Sequence, residues 1–210
     1  MSRRAEEAVN GGRLAIGASG NVGTYLLPDL LRTYEATSAA SPHVEIGTNP
    51  YVIGQLEAGE IDLALVEWWE ARPGLIAHAW RREPLVVIVG PDHAWSKRGH
   101  VTPGDLAGSV LLGGEPGSGT GRLLRQALGV MGAGLGIDRQ LGSTEAVKRA
   151  VRAGLGISIV MACSVIDEVR AQLLVALPVQ GIDLAKTLYV AHRYPLQGTA
   201  LADSFIAALA

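Results

Sequence analysis

The chain reads LAIGASGNVG over residues 14–23, and this stretch decides the fold. Its first part, residues 14–18, is a short apolar run bounded by glycines, which is typical of a buried strand. A tight turn follows and leads into residues 22–38, where leucines recur at helical spacing. A strand, a turn and a helix in this order predict the start of an α/β unit.

The next fifty residues extend this unit. Pro28 lies inside the helical pattern, and we expect it to kink the helix or to delay its regular start. Residues 44–48 predict a second strand, residues 52–58 a helix that ends at Gly59, and residues 61–66 a third strand. Strands that alternate with helices predict a parallel sheet with helices on its faces.

A second α/β unit is predicted downstream of an apolar strand at residues 85–89. Its strands and helices are predicted, in chain order, at residues 110–112, 122–131, 144–153 and 155–160. A last strand over residues 186–192 and a closing helix are expected to complete the first unit. We therefore predict one lobe from residues 13–87 plus 190–210 and a second lobe from residues 88–189. Residues 1–12 are interpreted as a remnant of a linker or as an engineered start.

Composition and charge exclude several classes of function. The 210 residues are 48% hydrophobic and 18% charged, which is a globular composition with no run as long as a membrane-spanning helix. Lysine and arginine total 18 against 20 acidic residues, so we do not expect this chain to bind DNA by itself. Cys163 is the one cysteine, which excludes an intrachain disulfide. The five histidines are not spaced as metal ligands, and we expect no metal and no cofactor.

The glycines of the first turn have two possible roles. Gly17, Gly20 and Gly23 resemble the dinucleotide-binding loop of short-chain dehydrogenase-like proteins. The second strand lacks the acid that would bind the ribose, no tyrosine is followed four residues later by lysine, and Pro28 interrupts the helix. One alternative is a tight turn that binds no ligand. We favour a turn whose Ser19 hydroxyl and backbone amides bind a smaller ligand.

Two further polar loops precede helices. Residues 115–120 read EPGSGT, but Thr120 stands where a nucleotide-binding P-loop requires lysine, so we reject nucleoside triphosphate hydrolysis. This loop is either a site for a carboxylate, sulfate or phosphate group or an ordinary surface loop. Residues 142–145 read GSTE, and Ser143 or Thr144 is predicted to cap the next helix. All three polar loops follow predicted strands, where ligands bind in open α/β sheets.

Taken together, these stretches resemble the effector-binding domain of LysR-type transcription regulators. The matching segments are LAIGAS from residue 14, YLLPDLL from 25, LEAGEIDLALVE from 56, PDH from 91, EPGSGT from 115, GSTEAV from 142 and RAGLGI from 152. The resemblance implies a type 2 periplasmic-binding-protein fold with two lobes, a cleft and two crossovers. By position it implies effector contacts from Ser19, Gly20, Asn21, Thr48, Asn49, Ser118, Gly119, Thr120, Ser143 and Thr144.

The resemblance also implies a function without catalysis. It implies a cytoplasmic sensor that binds a small polar metabolite or anion, forms homodimers or homotetramers, and acts on DNA through a helix-turn-helix upstream of this chain. Close relatives often carry arginines beside the EPGSGT loop, where this chain has Gly114 and Gly121. That departure argues against a strongly anionic effector. The rival hypotheses are a free-standing solute-binding protein and, more remotely, a dinucleotide-dependent reductase.

Overall fold

The computed structural model describes residues 14–38, 41–116, 119–132, 136–194 and 200–209. The chain divides into two compact units. The first unit comprises residues 1–81 and 187–210, and the second unit comprises residues 82–186. The predicted lobe boundaries, at 87/88 and 189/190, lie a few residues after the boundaries observed at 81/82 and 186/187. None of the described helices is long and apolar enough to cross a bilayer.

The first unit begins with three strands that alternate with helices. They are β1 (Ala15–Ser19), α1 (Gly20–Tyr25), α2 (Leu27–Thr37), β2 (His43–Gly47), α3 (Asn49–Ala58) and β3 (Leu63–Val66). The long strand β4 (Leu75–Val89) then carries the chain into the second unit. The predicted order of strands and helices is thus confirmed for this part of the chain.

The second unit consists of shorter elements. They are α4 (Pro103–Leu106), β5 (Leu112–Gly113), α5 (Thr120–Gly132), β6 (Arg139–Gln140), α6 (Thr144–Arg152), β7 (Ser158–Met161), a 3₁₀ turn (Ala162–Val165), α7 (Ile166–Arg170) and β8 (Val175–Leu177). Strand β9 (Ala185–Arg193) returns the chain to the first unit, which ends with α8 (Ala200–Ala207). The helical backbone of α5 is interrupted at Gly129, where φ is 53°.

The sheet of the first unit has the strand order β2-β1-β3-β9. Strand β1 pairs in parallel with both neighbours, so that Ile16 lies opposite Val44 on β2 and Leu63 on β3. Strand β9 pairs antiparallel with β3. The predicted parallel pairing of strands is therefore confirmed for β1, β2 and β3, whose carboxyl ends meet at one edge. It does not extend to β9, because that strand enters the sheet from the second unit.

Local sequence rules set the ends of the helices in the first unit. Helix α1 ends at Tyr25 and α2 begins at Leu27 with Pro28 in its first turn, as predicted, since a proline there loses no helical hydrogen bond. Gly59 ends α3 in the left-handed conformation with φ 77°, which confirms the predicted cap. A Cβ on Gly17 would collide with Ile61, so only glycine allows α3 and its following turn to approach β1 this closely.

The core of the first unit joins α3 to the sheet and α8 to α2. The buried cluster under α3 is Val52, Ile53, Leu56, Ile61, Ala64, Val66 and Ala191. Phe205 of α8 is 1% exposed and contacts the fully buried Tyr34 of α2 edge to face, with ring centroids 5.2 Å apart. The Tyr34 hydroxyl also donates to the Leu201 carbonyl at 3.4 Å. The closing helix is therefore part of the first unit's core.

Strand β4 is central to the second unit, where it pairs antiparallel with β7 and with β8. The sequence predicted this strand only from Leu85, and that start is wrong by ten residues. Its first part carries charged residues such as Arg81 and Arg82, so it does not show the continuous apolar pattern of a buried strand. The core behind β4 and α6 consists of Ile88, Leu112, Val147, Ala150, Val151, Val160, Val165 and Leu174.

A buried lysine connects two helices of the second unit. The side chain of Lys148 in α6 is 6% exposed, and its ammonium lies 2.7 Å from the Glu168 carboxylate of α7. It also contacts the Glu145 carboxylate and donates to the Ser164 carbonyl at 3.0 Å. Three oxygens thus compensate the desolvated charge, which would otherwise be costly to bury.

We expect Phe205→Ala to lower the free energy of unfolding by about 3–5 kcal/mol, because it removes a buried aromatic ring and leaves a cavity beside Tyr34. The matched variant Phe205→Leu keeps most of the volume and should cost less than about 1.5 kcal/mol. Urea denaturation followed by circular dichroism measures both. Equal, small losses in the two variants would contradict the packing of α8 against α2.

Asp105 in α4 provides a prediction about pH. Its carboxylate accepts from the Thr102 backbone N–H and hydroxyl, both at 2.7 Å, and from Arg98 at 3.0 Å. The Thr102 N–H is the largest of the effects that lower the Asp105 pKa from 3.8 to about 2. Since the folded-state pKa lies below the unfolded one, this stabilisation is present above about pH 4 and is lost as pH falls toward 2.

We therefore expect Asp105→Asn to be less stable than the parent at pH 7, and the difference to shrink as pH falls through the range 4 to about 2. Urea denaturation at several pH values tests this. A difference between the two proteins that stays constant across this range would rule out the shifted carboxyl as its source.

Candidate functional site

The three parallel strands of the first unit all end in polar residues. Ser19 ends β1, Thr48 follows β2 and precedes α3, and Glu67 follows β3. Because the strands are parallel, these positions lie along the same edge of the sheet. Asn21 in α1 and Asn49 in α3 join them through hydrogen bonds. We call these five residues the polar edge.

Asn49 holds the polar edge together. Its side chain is 2% exposed and uses both ends of the amide. The oxygen accepts from the Glu67 backbone N–H at 2.8 Å, and the nitrogen donates to the Trp68 carbonyl at 3.2 Å. The amide therefore bonds backbone groups at the end of β3 that a neighbouring strand would otherwise pair, and it fixes that end against the first turn of α3. The predicted effector contact of Asn49 stays a prediction; in the structure its amide positions the end of β3.

Glu67 is the charged member of the polar edge. It is 3% exposed, and its Oε1 accepts from the side-chain amide of Asn21 at 3.1 Å. The contact ties the first turn of α1 to the end of β3. Buried carboxylates are rare unless a nearby donor compensates them, and the Asn21 amide is one such donor. A carboxylate held this way offers its oxygens only as acceptors.

Ser19 has an unusual environment. The residue is 1% exposed, and its Oγ has no hydrogen-bond partner within the described part of the chain. A buried hydroxyl without a partner costs about 1–3 kcal/mol relative to a bonded one. Such a cost in a native structure calls for an explanation, and a ligand that bonds this hydroxyl is one.

Thr48 is the exposed residue of the polar edge at β2, and Gly20 lies beside the polar edge, directly after Ser19. Thr48 is exposed and caps α3, since its hydroxyl oxygen accepts from the Tyr51 backbone N–H at 3.2 Å. The hydroxyl proton is not used in that contact. Because Pro50 has no N–H and the Tyr51 N–H is capped, the start of α3 offers few free amides to an anion. Gly20 is half-buried and begins α1.

The second unit brings two of the predicted loops together. A Cβ on Gly114 would lie 3.3 Å from the Thr144 nitrogen, so the backbone after β5 touches the turn before α6. The Gly142 N–H donates to the Gly114 carbonyl at 3.0 Å. Ser143 caps α6 by accepting from the Ala146 N–H at 3.2 Å, which confirms the predicted capping. We call Gly114, Gly142, Ser143 and Thr144 the loop pair.

The remaining predicted residues of the second unit flank α5. Thr120 is half-buried and is the first residue of this helix, and Gly119 precedes it with φ 77°. Ser118, also predicted to contact the effector, lies outside the described residues. The second unit also contains a cavity of about 400 Å³ between residues 90–94 and 151–156, which none of the predicted residues lines.

The sequence analysis did not single out Glu67, which the structure places at the polar edge. The available signal was its position, since an acid directly follows four buried apolar residues, Leu63 to Val66, at the end of a predicted parallel strand. Glu67 is the one acidic residue among the five polar-edge residues, and none of the five is basic. Among the described residues, no three His, Cys, Asp or Glu side chains are arranged to hold a metal ion.

Comparison with known sequences identifies a family. The LysR substrate binding domain matches residues 7–210. The putative HTH-type transcriptional regulator PtxE of Stutzerimonas stutzeri is 47% identical over 122 residues, which cover 57% of this chain and 62% of that protein. The RuBisCO operon transcriptional regulator of Allochromatium vinosum is 28% identical over 188 residues, covering 89% of this chain and 62% of that protein.

A third relative is named as an import protein rather than as a transcriptional regulator. The phosphonates import ATP-binding protein PhnC of Anaeromyxobacter dehalogenans is 27% identical over 200 residues, which cover 93% of this chain and 40% of that protein. The chain thus spans about three fifths of the length of the two regulators and 40% of the length of PhnC.

Solved structures share the fold of this chain. Reduced OxyR from N. meningitidis has a TM-score of 0.83 at 21% identity, with 94% of each chain covered. The effector binding domain of QuiR in complex with shikimate has a TM-score of 0.82 at 18% identity, covering 95% of this chain and 96% of that one. The Synechocystis PCC6803 CcmR regulatory domain in complex with 2-PG has a TM-score of 0.80 at 25% identity, covering 94% and 95%. These likenesses confirm the predicted α/β fold of the periplasmic-binding-protein type.

We expect Asn49→Ala to lower the free energy of unfolding by about 2–4 kcal/mol, since it leaves the buried Glu67 N–H without its acceptor and the Trp68 carbonyl without its donor. The control Gln55→Ala removes a half-buried amide from the same helix and should cost less than about 1 kcal/mol. Urea denaturation of both variants measures the difference. Similar costs at the two positions would contradict the special role of Asn49.

Proposed function

Because the chain belongs to the family of LysR substrate-binding domains, we propose that it is the effector-sensing part of a transcription regulator and that its ligand contacts the polar edge of the first unit. The regulators among its relatives and the ligand complexes of QuiR and CcmR support this function. The proposed contacts of the ligand are Ser19, Gly20, Asn21 and Thr48, with Asn49 as the residue that positions them.

The buried, unpartnered hydroxyl of Ser19 carries this proposal. A fold selected only for stability would replace Ser19 with alanine, because the hydroxyl costs free energy and bonds nothing in the described residues. A ligand that donates to this oxygen, or accepts its proton, recovers that cost on binding. The ligand-bound chain is then stabilised by more than the direct contacts alone supply.

We propose a small oxyanion of the phosphonate class as the ligand. One relative is named as a phosphonates import protein, and its similarity covers 93% of this chain. Tetrahedral oxyanions are bound by hydroxyls and amides, and the polar edge offers the hydroxyls of Ser19 and Thr48, while the loop pair includes those of Ser143 and Thr144. The glycines that replace flanking arginines, Gly114 and Gly121, favour an anion of low charge.

The proposal also includes residues of the second unit, for which the family resemblance is the argument. Gly119, Thr120, Ser143 and Thr144 are proposed to contact the same ligand because the family resemblance implies it, and Ser118 is included for the same reason. That the two units hold one ligand in a cleft remains a prediction from the sequence.

The activity of the whole protein follows from the family and is likewise a proposal. We propose a cytoplasmic regulator that forms dimers or tetramers and binds DNA through a helix-turn-helix outside this chain. Effector binding regulates it only if the ligand prefers one conformation over another, since equal affinity shifts no equilibrium.

A second candidate function is that of a solute-binding module of an importer, which the similarity to PhnC favours. Effector-dependent DNA binding by the full-length protein distinguishes the two.

We expect Ser19→Ala to raise the stability of the unliganded chain by about 1–3 kcal/mol and to weaken ligand binding roughly tenfold, because the same hydroxyl is a cost without ligand and a contact with it. Calorimetric titration with methylphosphonate and urea denaturation without ligand measure the two effects. The control Ser41→Ala removes an exposed serine hydroxyl of the same unit and should change neither.

Opposite changes in stability and affinity are difficult to obtain from a merely structural serine. A Ser19→Ala variant that loses stability, or that binds the ligand as tightly as the parent, would contradict the proposed contact.

A further inference from the structure

We propose that the cavity of the second unit is a binding site for a zwitterionic amino acid. The cavity has a volume of about 400 Å³ and lies between residues 90–94, directly after β4, and residues 151–154 with Gly156, at the end of α6. Its volume is in the lower part of the range for small-molecule sites. The cavity shares no residue with the polar edge, so this site goes beyond the proposed function.

One wall of the cavity is the carboxyl end of α6, which offers acceptors. The three N–H groups that follow the helix bond the carbonyls of residues 149–151. The carbonyls of Arg152 and Ala153 accept no hydrogen bond from the described residues. A Cβ on Gly90 would lie 3.7 Å from the Arg152 carbonyl oxygen, so the facing wall is close to this acceptor. Acceptors at the negative end of a helix favour a cationic donor such as an ammonium group.

Two side chains of opposite charge line the same cavity. Asp92 and Arg152 are both exposed, and neither forms a hydrogen bond or an ion pair within the part of the chain that the structure describes. A ligand that binds them therefore breaks no existing contact. The Asp92 carboxylate can accept from an ammonium group, and the planar guanidinium of Arg152 can donate two parallel hydrogen bonds to a carboxylate. The lining thus matches a ligand that carries both charges.

His93 adds an oriented donor to the wall opposite α6. Its Nδ1 accepts from the Trp95 backbone N–H at 3.2 Å, which leaves the ring proton on Nε2. The imidazole also contacts the buried Trp95 ring edge to face, with centroids 4.9 Å apart. The His93 backbone N–H donates to the Gly90 carbonyl at 3.1 Å. Because these contacts fix the ring, the Nε2–H is left to donate to a ligand carboxylate.

The rest of the lining sets the size and the affinity of the ligand. The other side chains are small and apolar, and they come from Pro91, Ala94, Val151 and Ala153. They suit a short aliphatic side chain. Since the two charged side chains are exposed, water screens them, and we expect an affinity in the millimolar range. The distinguishing property of the site is therefore its preference among ligands of equal size.

Leucine, isocaproate and isoamylamine form a matched set for the test. The three share one aliphatic chain, but isocaproate lacks the ammonium group of leucine and isoamylamine lacks the carboxylate. Nuclear magnetic resonance titration of the chain at about pH 7 should show leucine binding at least about fivefold more tightly than either analogue, because each analogue leaves one charge of the lining unmatched. The largest shifts of backbone amides should lie within residues 90–94 and 151–156.

Two variants test the charged side chains. Arg152→Gln should lower the affinity for leucine about fivefold and leave that for isoamylamine unchanged, because only leucine has a carboxylate to lose its partner. Asp92→Asn should lower the affinity for leucine and leave that for isocaproate unchanged. The control Arg149→Gln removes an exposed arginine of the same helix that does not line the cavity, and it should leave all three affinities unchanged.

Each other outcome contradicts the proposed site. Equal affinity of the parent chain for leucine and either analogue overturns it, as does leucine binding that Arg152→Gln leaves unchanged. Shifts centred on residues away from the cavity, or no binding at tens of millimolar leucine, overturn it as well. The titrations of Ser19→Ala with methylphosphonate concern the first unit, so their failure and a failure here are distinguishable. If a variant does not fold, the comparison of the three ligands on the parent chain still decides.

Discussion

The geometry of the first unit depends on one buried side chain, Asn49. Helix α3 packs on the sheet through its apolar side chains, and at this edge the Asn49 amide adds hydrogen bonds to the Glu67 N–H and the Trp68 carbonyl that fix the end of β3 against the first turn of α3. Asparagine suits this position because its amide has an acceptor and a donor a short distance apart, like a peptide group. An alanine would leave two polar backbone groups unsatisfied at the point where the ligand is proposed to dock.

Next to Asn49 the chain keeps one group that does not stabilise the unliganded fold. The buried Ser19 hydroxyl bonds nothing in the described residues. Violations of this kind cluster at functional sites, where free energy of folding is exchanged for affinity. Lys148 of the second unit is also deeply buried, but its ammonium contacts two carboxylates and a carbonyl. Burial of a polar group alone is thus a poor marker of function, and the missing partner of the Ser19 hydroxyl is the better one.

The sequence predicted those features that depend on short-range rules. Pro28 in the first turn of α2, Gly59 at the end of α3 and the parallel order of the first three strands follow from local sterics and apolar spacing. The early start of β4 was missed, because pairing with other strands overrides its charged, strand-atypical sequence. The ligand contacts inferred from the sequence stay a prediction. The hydrogen bonds of Asn49 and Glu67 were not predicted, since they join residues 18 or more positions apart, which no local pattern encodes.

The charge of the site bears on what a sensor of this kind can discriminate. A site built on arginines attracts any anion, and its affinity rises with the charge of the ligand. A site of hydroxyls and amides binds weakly charged anions and gains selectivity from the geometry and direction of each hydrogen bond instead. Under the proposed function, Gly114 and Gly121 act in this direction, because they stand where relatives often carry arginines and leave recognition to hydroxyl and amide groups.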